Sequence, residues 1–456
     1  MQIQTSPPTT PEPLRPPSVA LISLGCAKNQ VDSETILSRF LERGFAMNRD
    51  PGHADLAIVN TCGFIGPAKE ESIETILDVI ELKKQRPGLK IMVAGCLYQR
   101  YPEMEKELSE VDYWLTQPGD LQAEQTVLTV MDEMGMDRFR LPGEPEMYRR
   151  QVLLSEPGTA FVRISQGCDR TCAFCAIPKI KGGLVSRNLE SLVNEITILS
   201  TRFGVKEISL VAQDLTNYGT DEGRNQFLEL MERLDEIKTV RWFRLHYIYP
   251  FGLTRRMLEF LGSSKRFAPY LDMPFQHGDD EMLKVMRRGG SFSGNLKHIE
   301  EVRSAIPNVA MRTTMLVGHP RETKRRFENL ISFIDEARFE WLGIFPFSPE
   351  EGTRSYELGG RVSRAASNTR VDEALSAYRE ARRTEVFGIG SAKDALVVEI
   401  DEETGEALLR SGTEAAEVDG VIRAPLVDGV KAGDLVRVHV LDDDDLDFTG
   451  SIVMNS

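Results

Sequence analysis

The sequence predicts a mixed α/β chain with an N-terminal parallel-sheet α/β domain, a central TIM-like β/α barrel and a small C-terminal all-β barrel. Three observations lead to this prediction. Short apolar runs alternate with amphipathic helical patterns over most of the chain, which is typical of parallel sheets. Beyond residue 389 the pattern changes to short alternating runs separated by glycines. The length of 456 residues is also enough for about three domains of ordinary size.

The N-terminal domain, with a linker, is predicted over residues 18–150. Its elements are expected at 18–24 (strand), 32–43 (helix), 55–60 (strand), 67–84 (helix) and 90–94 (strand). The second helix carries glutamates in its early turns and Lys83 and Lys84 at its end, the order of charges that the helix dipole favours. Because helices alternate with strands, the strands are expected to pair in parallel.

Two further domains are predicted from the remaining pattern. The central one, at 155–388, has strand candidates at 160–164, 207–211, 242–246, 271–273, 311–317 and 342–345. Helical patterns separate these runs, so six units predict a partial or complete β/α barrel. The last one, at 389–456, has strand candidates at 395–400, 407–410, 420–423 and 435–441. Glycines mark its turns, which predicts a small all-β barrel.

Composition excludes several classes of protein. Hydrophobic residues make up 41% and charged residues 27%, which excludes a collagen-like, coiled-coil or wholly disordered chain. No stretch approaches the ~18 to 20 consecutive apolar residues of a membrane-spanning helix, so no membrane association is expected. The net charge of −15 does not favour a nucleic-acid partner.

The first 17 residues are expected to form a short disordered tail. They contain six prolines and no apolar run of the kind found in a secretory signal peptide. We therefore expect a cytoplasmic protein in a reducing compartment, where disulfides rarely persist. The six cysteines are better interpreted as metal ligands or catalytic thiols than as a disulfide framework.

Three of the cysteines form one tight set. Cys168, Cys172 and Cys175 follow the pattern CxxxCxxC, and no fourth cysteine lies nearby. Three thiolates can hold three irons of a 4Fe-4S cluster, whereas a typical electron-transfer cluster has four cysteine ligands. The remaining iron is then open to a small chelating ligand. The alternatives are a zinc site, which usually requires a fourth Cys or His at finger spacing, or three unrelated buried thiols.

The other three cysteines are dispersed along the N-terminal domain. Cys26, Cys62 and Cys96 each come just after a predicted strand and next to a glycine. The carboxyl ends of parallel strands share one edge of the sheet, where ligands bind in open α/β folds. We therefore expect a second cluster on three thiolates. The alternative is that these cysteines are small apolar residues of the core.

Four stretches together resemble the methylthiotransferase family, a group of radical S-adenosylmethionine (SAM) enzymes. They are SLGCAKNQVDSE at 23–34, VNTCGFI at 59–65, GCL at 95–97 and GCDRTCAFCAIP at 167–178. The resemblance covers nearly the whole chain after the tail. It implies an N-terminal cluster domain, a central radical SAM barrel and a C-terminal TRAM domain.

Within this family, the chain is most similar to members that act on an aspartate of the small-subunit ribosomal protein S-twelve. The similar stretches are VAQDLTNYG at 211–219, LHYIYP at 245–250, YLDMPFQHG at 270–278 and FSPEEGT at 347–353, besides the one at 23–34. The alternatives are a tRNA adenosine as substrate or, more remotely, a non-catalytic Fe-S carrier. A carrier has no use for open irons or a β/α barrel.

Charge supports a protein substrate independently of the resemblance. Residues 390–456 contain 16 Asp and Glu against five Lys and Arg. Such a domain would repel tRNA, a polyanion, and attract a basic ribosomal protein. The aspartate run at 442–445 is the most acidic part, and its alternative interpretation is a solvated loop.

The resemblance also implies cofactors, partners and a reaction. Two 4Fe-4S clusters and SAM are expected, together with an electron donor such as flavodoxin or ferredoxin and a sulfur donor. The cluster on the tight cysteine set would reduce SAM to give a 5′-deoxyadenosyl radical, which abstracts hydrogen from the β-carbon of the target aspartate. The second cluster would hold the sulfur, a second SAM would methylate it, and a chamber between the clusters would limit quenching.

Residues that contact SAM are predicted at five positions. Phe174 matches an aromatic position beside the adenine, and Glu207 matches an acidic group facing the SAM amine. Gln213 and Gln276 follow strand ends at the barrel mouth, and Gly318 begins GHPRET, which replaces the usual GFPGET. Glu207 and both glutamines have an alternative interpretation as ordinary capping or rim residues. His277 either contacts ligand at the same mouth or is a packed or solvated histidine.

Overall fold

The computed structural model describes residues 15–116, 121–135 and 150–453. Most of the predicted N-terminal tail lies outside the described residues. The chain divides into two compact units. The first combines Met1–Gly25, Asp32–Gly63 and Ala68–Val152, and the second combines Cys26–Val31, Phe64–Pro67 and Leu153–Ser456.

The first unit is built on a five-stranded parallel sheet. Its strands are β1 (Ser18–Ser23), β2 (Ala46–Met47), β3 (Leu56–Thr61), β4 (Lys90–Gly95) and β5 (Tyr113–Leu115), in the order β2-β1-β3-β4-β5. The helices of this part of the chain are α1 (Ala27–Glu42), α2 (Gly66–Gln85), α3 (Cys96–Arg100), α4 (Met104–Glu107) and α5 (Leu121–Glu133). Helices α1 and α2 each begin in the second unit and continue into the first. The predicted parallel-sheet domain is confirmed.

Both faces of this sheet are covered, because successive side chains of a strand point to opposite sides. Leu56 and Ile58 of β3 pack with residues of α1 and α5. Ala57 and Val59 of the same strand pack with residues of α2. All six residues of β3 are buried, which explains its continuous apolar run.

The second unit contains a six-stranded parallel sheet. Its strands and those beside it are β6 (Thr159–Arg163), β7 (Ser165–Gln166), β8 (Val185–Ser186), β9 (Glu207–Val211), β10 (Trp242–Leu245), β11 (Phe267–Asp272), β12 (Ala310–Val317) and β13 (Trp341–Pro346). The sheet order is β13-β12-β11-β10-β9-β6, and β7 pairs separately with β8. The sheet is open, so of the two predicted forms the partial barrel is the one observed.

Helices follow most of these strands. They are α6 (Ile177–Lys181), α7 (Leu189–Arg202), α8 (Phe227–Asp235), α9 (Arg255–Ser263), α10 (Asp280–Val285), α11 (Phe292–Ala305), α12 (Lys324–Ala337) and α13 (Arg364–Ala381). The apolar faces of α7, α8, α9, α11, α12 and α13 share one large core with the strands.

A closed five-stranded barrel ends the chain, as predicted for the C-terminal domain. Its strands are β14 (Ala392–Asp401), β15 (Glu406–Ser411), β16 (Ile422–Pro425), β17 (Leu435–Asp444) and β18 (Asp447–Val453). Strand β18 was not predicted from the sequence, because four successive aspartates obscured the turn before it. Asp445, at a φ of 60°, lies in the two-residue connection between β17 and β18.

The C-terminal barrel covers the amino ends of the central strands. Trp242, Ala310 and Trp341, the first residues of β10, β12 and β13, share a core with Phe448 of β18. The carboxyl ends of the central strands therefore lie at the other edge of this sheet, the edge where ligands bind in β/α barrels.

Glu207 belongs to the covered edge, since it is the first residue of β9. Its carboxylate lies 3.1 Å from Arg244 and 3.1 Å from Arg410 of β15, and all three side chains are buried. Burial opposes ionisation, but the two guanidinium groups lower the pKa of Glu207 to about 2. The carboxylate is thus already paired at the edge opposite the predicted cofactor site, and we do not retain Glu207 as a SAM contact.

We expect Glu207→Gln to lower the free energy of unfolding by roughly 3 to 5 kcal/mol, because it leaves the buried Arg244 without its counter-ion and Arg410 with Glu156 alone. The folded-state pKa lies below the ordinary 4.5, so this stabilisation is present above pH 4.5 and is lost as pH falls toward about 2. Urea unfolding from pH 7 downward measures both effects. Glu328→Gln, at a carboxylate that is 60% exposed, is the control. Equal losses in the two variants would contradict the assignment.

Candidate functional site

The three cysteines of the tight set lie in one loop between β7 and α6. Three backbone hydrogen bonds fix this loop to separate parts of the second unit. The Cys168 N–H donates to the Gly182 carbonyl at 3.1 Å, and the Ala173 N–H donates to the Met286 carbonyl at 2.9 Å. The Ser355 N–H donates to the Ala173 carbonyl at 2.9 Å. The loop therefore has a defined backbone conformation.

Gly167 is required at the start of this loop. Its φ is +71°, and a Cβ added there would lie 1.9 Å from the Gly183 carbonyl oxygen. Only glycine avoids both the overlap and the left-handed strain. The glycine before Cys168 in the sequence motif thus has a steric explanation.

The three thiols are half-buried and close enough to influence one another. Burial raises the pKa of Cys168, and it raises the pKa of Cys175 to about 12. The charge on Cys172 adds to both increases. These thiols become thiolates only where positive charge compensates them, and binding of a metal supplies such charge.

This donor set fits an iron–sulfur cluster better than a single ion. Among the described residues, no three His, Cys, Asp or Glu side chains are arranged to hold one metal ion. A cluster has a different requirement, because each thiolate binds a different iron. The six cysteines are all free thiols, the ligand type that such clusters use.

Positive groups next to the loop were not predicted from the sequence. Arg288 Nη1 donates a hydrogen bond to Cys172 Sγ at 3.4 Å. The guanidinium groups of Arg170 and Arg288 lie 3.9 and 4.2 Å from the ring centroid of Tyr249. Arg170 also forms an ion pair with Asp214 at 2.8 Å. Tyr249 lies in LHYIYP, a stretch that the sequence already singled out. Its two arginine partners come from distant segments, so the contact itself could not be predicted.

Four of the five predicted SAM contacts lie in the cysteine loop or beyond the carboxyl ends of strands. Phe174 is half-buried within the loop, and Gln213 follows β9. Gln276, at a φ of +73°, pairs through its backbone with Thr314 and Leu316 of β12. Gly318 follows β12.

His319, one of the two residues at which GHPRET departs from the usual motif, has a structural explanation. A Cβ at Gly318 would lie 2.0 Å from Ser367 Oγ, so the glycine is required. His319 is buried, and burial lowers its pKa to about 4. Its Nε2 lies 2.7 Å from the hydroxyl of Ser355, the residue whose N–H binds Ala173 in the cysteine loop. The histidine therefore holds Ser355, which in turn holds the cysteine loop.

His277 is a packed histidine. It is fully buried, its Nδ1 accepts a hydrogen bond from the Asp279 N–H at 2.9 Å, and its Nε2 lies 3.6 Å from Glu322 Oε1. Glu322 in turn accepts a hydrogen bond from the Gly318 N–H and forms an ion pair with Arg370. These contacts connect the segments after β11 and β12.

Two of the dispersed cysteines come together in the first unit. Cys62 directly follows β3 and Cys96 directly follows the neighbouring strand β4. A Cβ at Gly63 would lie 2.7 Å from the Cys96 carbonyl oxygen, so the two backbones are in direct contact. The Cys62 N–H also donates to Ser72 Oγ at 2.9 Å. Cys26 comes three residues after β1, belongs to the second unit and has an exposed side chain.

The aspartate run at 442–445 is partly neutralised. Asp443 forms an ion pair with Arg382, and Asp445 forms one with Arg379, each at 3.1 Å. The run forms the end of β17 and the first residue of the turn that follows, so it is not a solvated loop. Its ion pairs leave it with less free negative charge than four aspartates would carry alone.

Two family models match this chain. Residues 18–116 match the uncharacterized protein family UPF0004, and residues 162–334 match the Radical SAM superfamily. Among the described residues, no helix is both long enough and apolar enough to cross a membrane.

Curated relatives match over almost the full length. A ribosomal protein uS12 methylthiotransferase RimO from Aquifex aeolicus is 39% identical over 95% of this chain and 96% of its own. One from a Sulfurihydrogenibium species is 36% identical over 93% and 96%. A solved structure with a similar fold is the radical S-adenosylmethionine methyltransferase TsrM from Kitasatospora setae. It has a TM-score of 0.55 and 13% identity over 75% of this chain and 74% of that one.

We expect Gly167→Ala to displace the cysteine loop and to reduce the iron that this loop binds after anaerobic reconstitution. The free energy of unfolding should also fall by about 2 kcal/mol or more, because overlap adds to backbone strain. Gly182→Ala is the matched control, since Gly182 has a φ of +75° and no neighbour within 4 Å of an added Cβ. Iron analysis and urea unfolding compare the two variants, and equal effects would contradict the steric role of Gly167.

Proposed function

The chain belongs to the RimO family of ribosomal protein uS12 methylthiotransferases, and we propose that it inserts a methylthio group at the β-carbon of an aspartate in that ribosomal protein. It is a radical SAM enzyme, because family membership, the Radical SAM match and the fold agree. The observation that carries the proposal is the loop of three free, mutually close thiols with no fourth cysteine.

We assign Cys168, Cys172 and Cys175 as ligands of a 4Fe-4S cluster whose fourth iron is left for SAM. When bound, the cluster and SAM supply the one-electron chemistry that removes hydrogen from an unactivated carbon, which acid–base groups cannot activate easily. The chain itself fixes the loop through Ala173 and Gly167. The guanidinium of Arg288 stabilises negative charge on the Cys172 sulfur.

Phe174, Gln213, Gln276 and Gly318 remain our proposed SAM contacts. They support the proposal by position, since they lie in the cysteine loop or just beyond the carboxyl ends of β9, β11 and β12.

A second cluster is proposed on Cys26, Cys62 and Cys96, as the source of the inserted sulfur. Cys62 and Cys96 follow adjacent parallel strands, and their backbones touch through Gly63. Cys26 is three residues beyond β1, the next strand of the same sheet. Glycine beside each cysteine allows the backbone to approach a bulky group closely.

The overall reaction balances with two SAM molecules. One C–H of the substrate, one sulfide and two SAM give a C–S–CH₃ group, methionine, 5′-deoxyadenosine and S-adenosylhomocysteine. The hydrogen leaves in 5′-deoxyadenosine, and the methyl group comes from the second SAM. An electron starts the reaction and is returned when the C–S bond forms. A low-potential electron donor such as flavodoxin or ferredoxin and a sulfur donor are therefore needed.

The substrate is proposed to be the basic ribosomal protein, acting in the cytoplasm where thiols stay reduced. The C-terminal segment 390–456, with 16 acidic and five basic residues, supports this choice over tRNA.

The proposal is tested by anaerobic reconstitution of the full chain with iron and sulfide, followed by SAM, reductant and either uS12 or tRNA. Mass spectrometry should find one methylthio group on an aspartate of uS12. A methylthiolated adenosine would overturn the substrate assignment. Formation of 5′-deoxyadenosine with neither partner modified would overturn the assigned target as well.

We expect Cys26→Ala to keep SAM cleavage and to lose methylthiolation, because it affects only the proposed sulfur-carrying cluster. Cys172→Ala should lose both activities. Both variants are measured for 5′-deoxyadenosine and for modified uS12 in the same reaction. Product formation by the Cys26→Ala variant would contradict the sulfur-donor role.

A further inference from the structure

Lys28 carries a positive charge that no carboxylate in the described structure neutralises. Its Nζ lies 3.5 Å from the ring centroid of Tyr247, and the side chain is half-buried. No described carboxylate lies within ion-pair distance of this ammonium. Burial makes an uncompensated charge costly. A cation kept in this state is a candidate for binding an anionic ligand.

The carboxylate that acts on Lys28 electrostatically is already engaged elsewhere. Asp272, the last residue of β11, lies 3.5 Å from Arg312 and also accepts a hydrogen bond from the Tyr247 N–H. Arg312 also pairs with Asp419 at 3.3 Å. Arg312 is thus shared between two carboxylates, and the ammonium of Lys28 forms an ion pair with neither of them.

Tyr247 holds the ammonium at the edge of the central sheet where ligands bind. It lies two residues beyond β10, and its φ of +63° is the left-handed conformation that favours glycine. Two backbone hydrogen bonds fix this segment: the Tyr247 carbonyl accepts from the Leu215 N–H, and the Ile248 N–H donates to the backbone carbonyl of Asp272. A tyrosine ring is a good partner for a cation. Backbone strain of this kind persists where the surroundings impose it and is concentrated at functional sites.

We propose that Lys28 binds the side-chain carboxylate of the target aspartate, with Tyr247 fixing the ammonium in place. The inference rests on the proposed function and adds the residue that selects the substrate side chain. The reacting β-carbon is bonded directly to the carboxyl carbon, so a clamp on the carboxylate places the β-carbon within two bonds of the held oxygen. Lys28 is two residues from Cys26, the proposed ligand of the sulfur-carrying cluster.

This role also explains discrimination among side chains. An asparagine offers Lys28 no charge, and a glutamate places its β-carbon one methylene further from the held carboxylate. A charge-assisted hydrogen bond to a partly desolvated lysine is stronger than a neutral one. Removing the charge of Lys28 or that of the substrate carboxylate leaves the remaining charged group without a partner.

The test uses the reconstituted holoenzyme with uS12 and with a uS12 variant carrying asparagine at the modified aspartate. Wild-type enzyme should prefer the aspartate protein by about 100-fold in kcat/KM. Lys28→Met should lose about the same factor on the aspartate protein and show no preference between the two substrates. Lys28→Arg should restore part of the preference. Lys297→Met, at a lysine that is 80% exposed, is the control and should behave as wild type.

Iron content and the 5′-deoxyadenosine formed in the absence of uS12 separate this role from a structural one, and neither should change in Lys28→Met. If Lys28→Met loses iron, the Lys28→Arg variant distinguishes the two roles. A packing role of Lys28 predicts that Lys28→Arg shows no restored preference for the aspartate protein over the asparagine protein. A Lys28→Met enzyme that keeps the wild-type preference overturns the Lys28 assignment and leaves the proposed function intact. Wild-type enzyme that modifies neither substrate overturns the proposed function instead.

Discussion

Two hydrogen bonds at Ala173 are the constraint on which the candidate site depends. They tie the middle of the cysteine loop to Met286 and to Ser355. His319 supports the second bond through the Ser355 hydroxyl. A three-thiolate set functions only if each sulfur reaches a different iron, so the backbone must present the three thiols in a fixed arrangement. His319, one of the two residues that depart from the usual family motif, thus helps to fix the geometry of the cysteines.

Much of this architecture could be predicted because it follows from local pattern. The strands of both parallel sheets are apolar runs buried on two faces, and short connections place successive strands close to each other. The same logic places Cys62 and Cys96 together from sequence alone, since each directly follows one of two adjacent strands. The tight cysteine set is still simpler, because its three members share one loop.

Partners from distant segments could not be predicted. Glu207 matched an acidic position next to SAM, but its counter-ion Arg410 is 203 residues away in the chain. The stretch at 23–34 contains Lys28 but does not indicate that its ammonium lies over the ring of Tyr247. The strand β18 was missed for a different reason, since the aspartates before it gain arginine partners only in the folded chain. In each case the deciding interaction is tertiary, and no local pattern encodes it.

In the proposed assignment, six cysteines hold two clusters, each on three thiolates. Iron analysis of the anaerobically reconstituted chain, combined with electron paramagnetic resonance with and without SAM, is the decisive experiment. Two such clusters predict about eight iron atoms per chain and a SAM-dependent change in the spectrum that requires Cys168, Cys172 and Cys175. About four iron atoms per chain, unchanged by Cys62→Ala and Cys96→Ala, would contradict it.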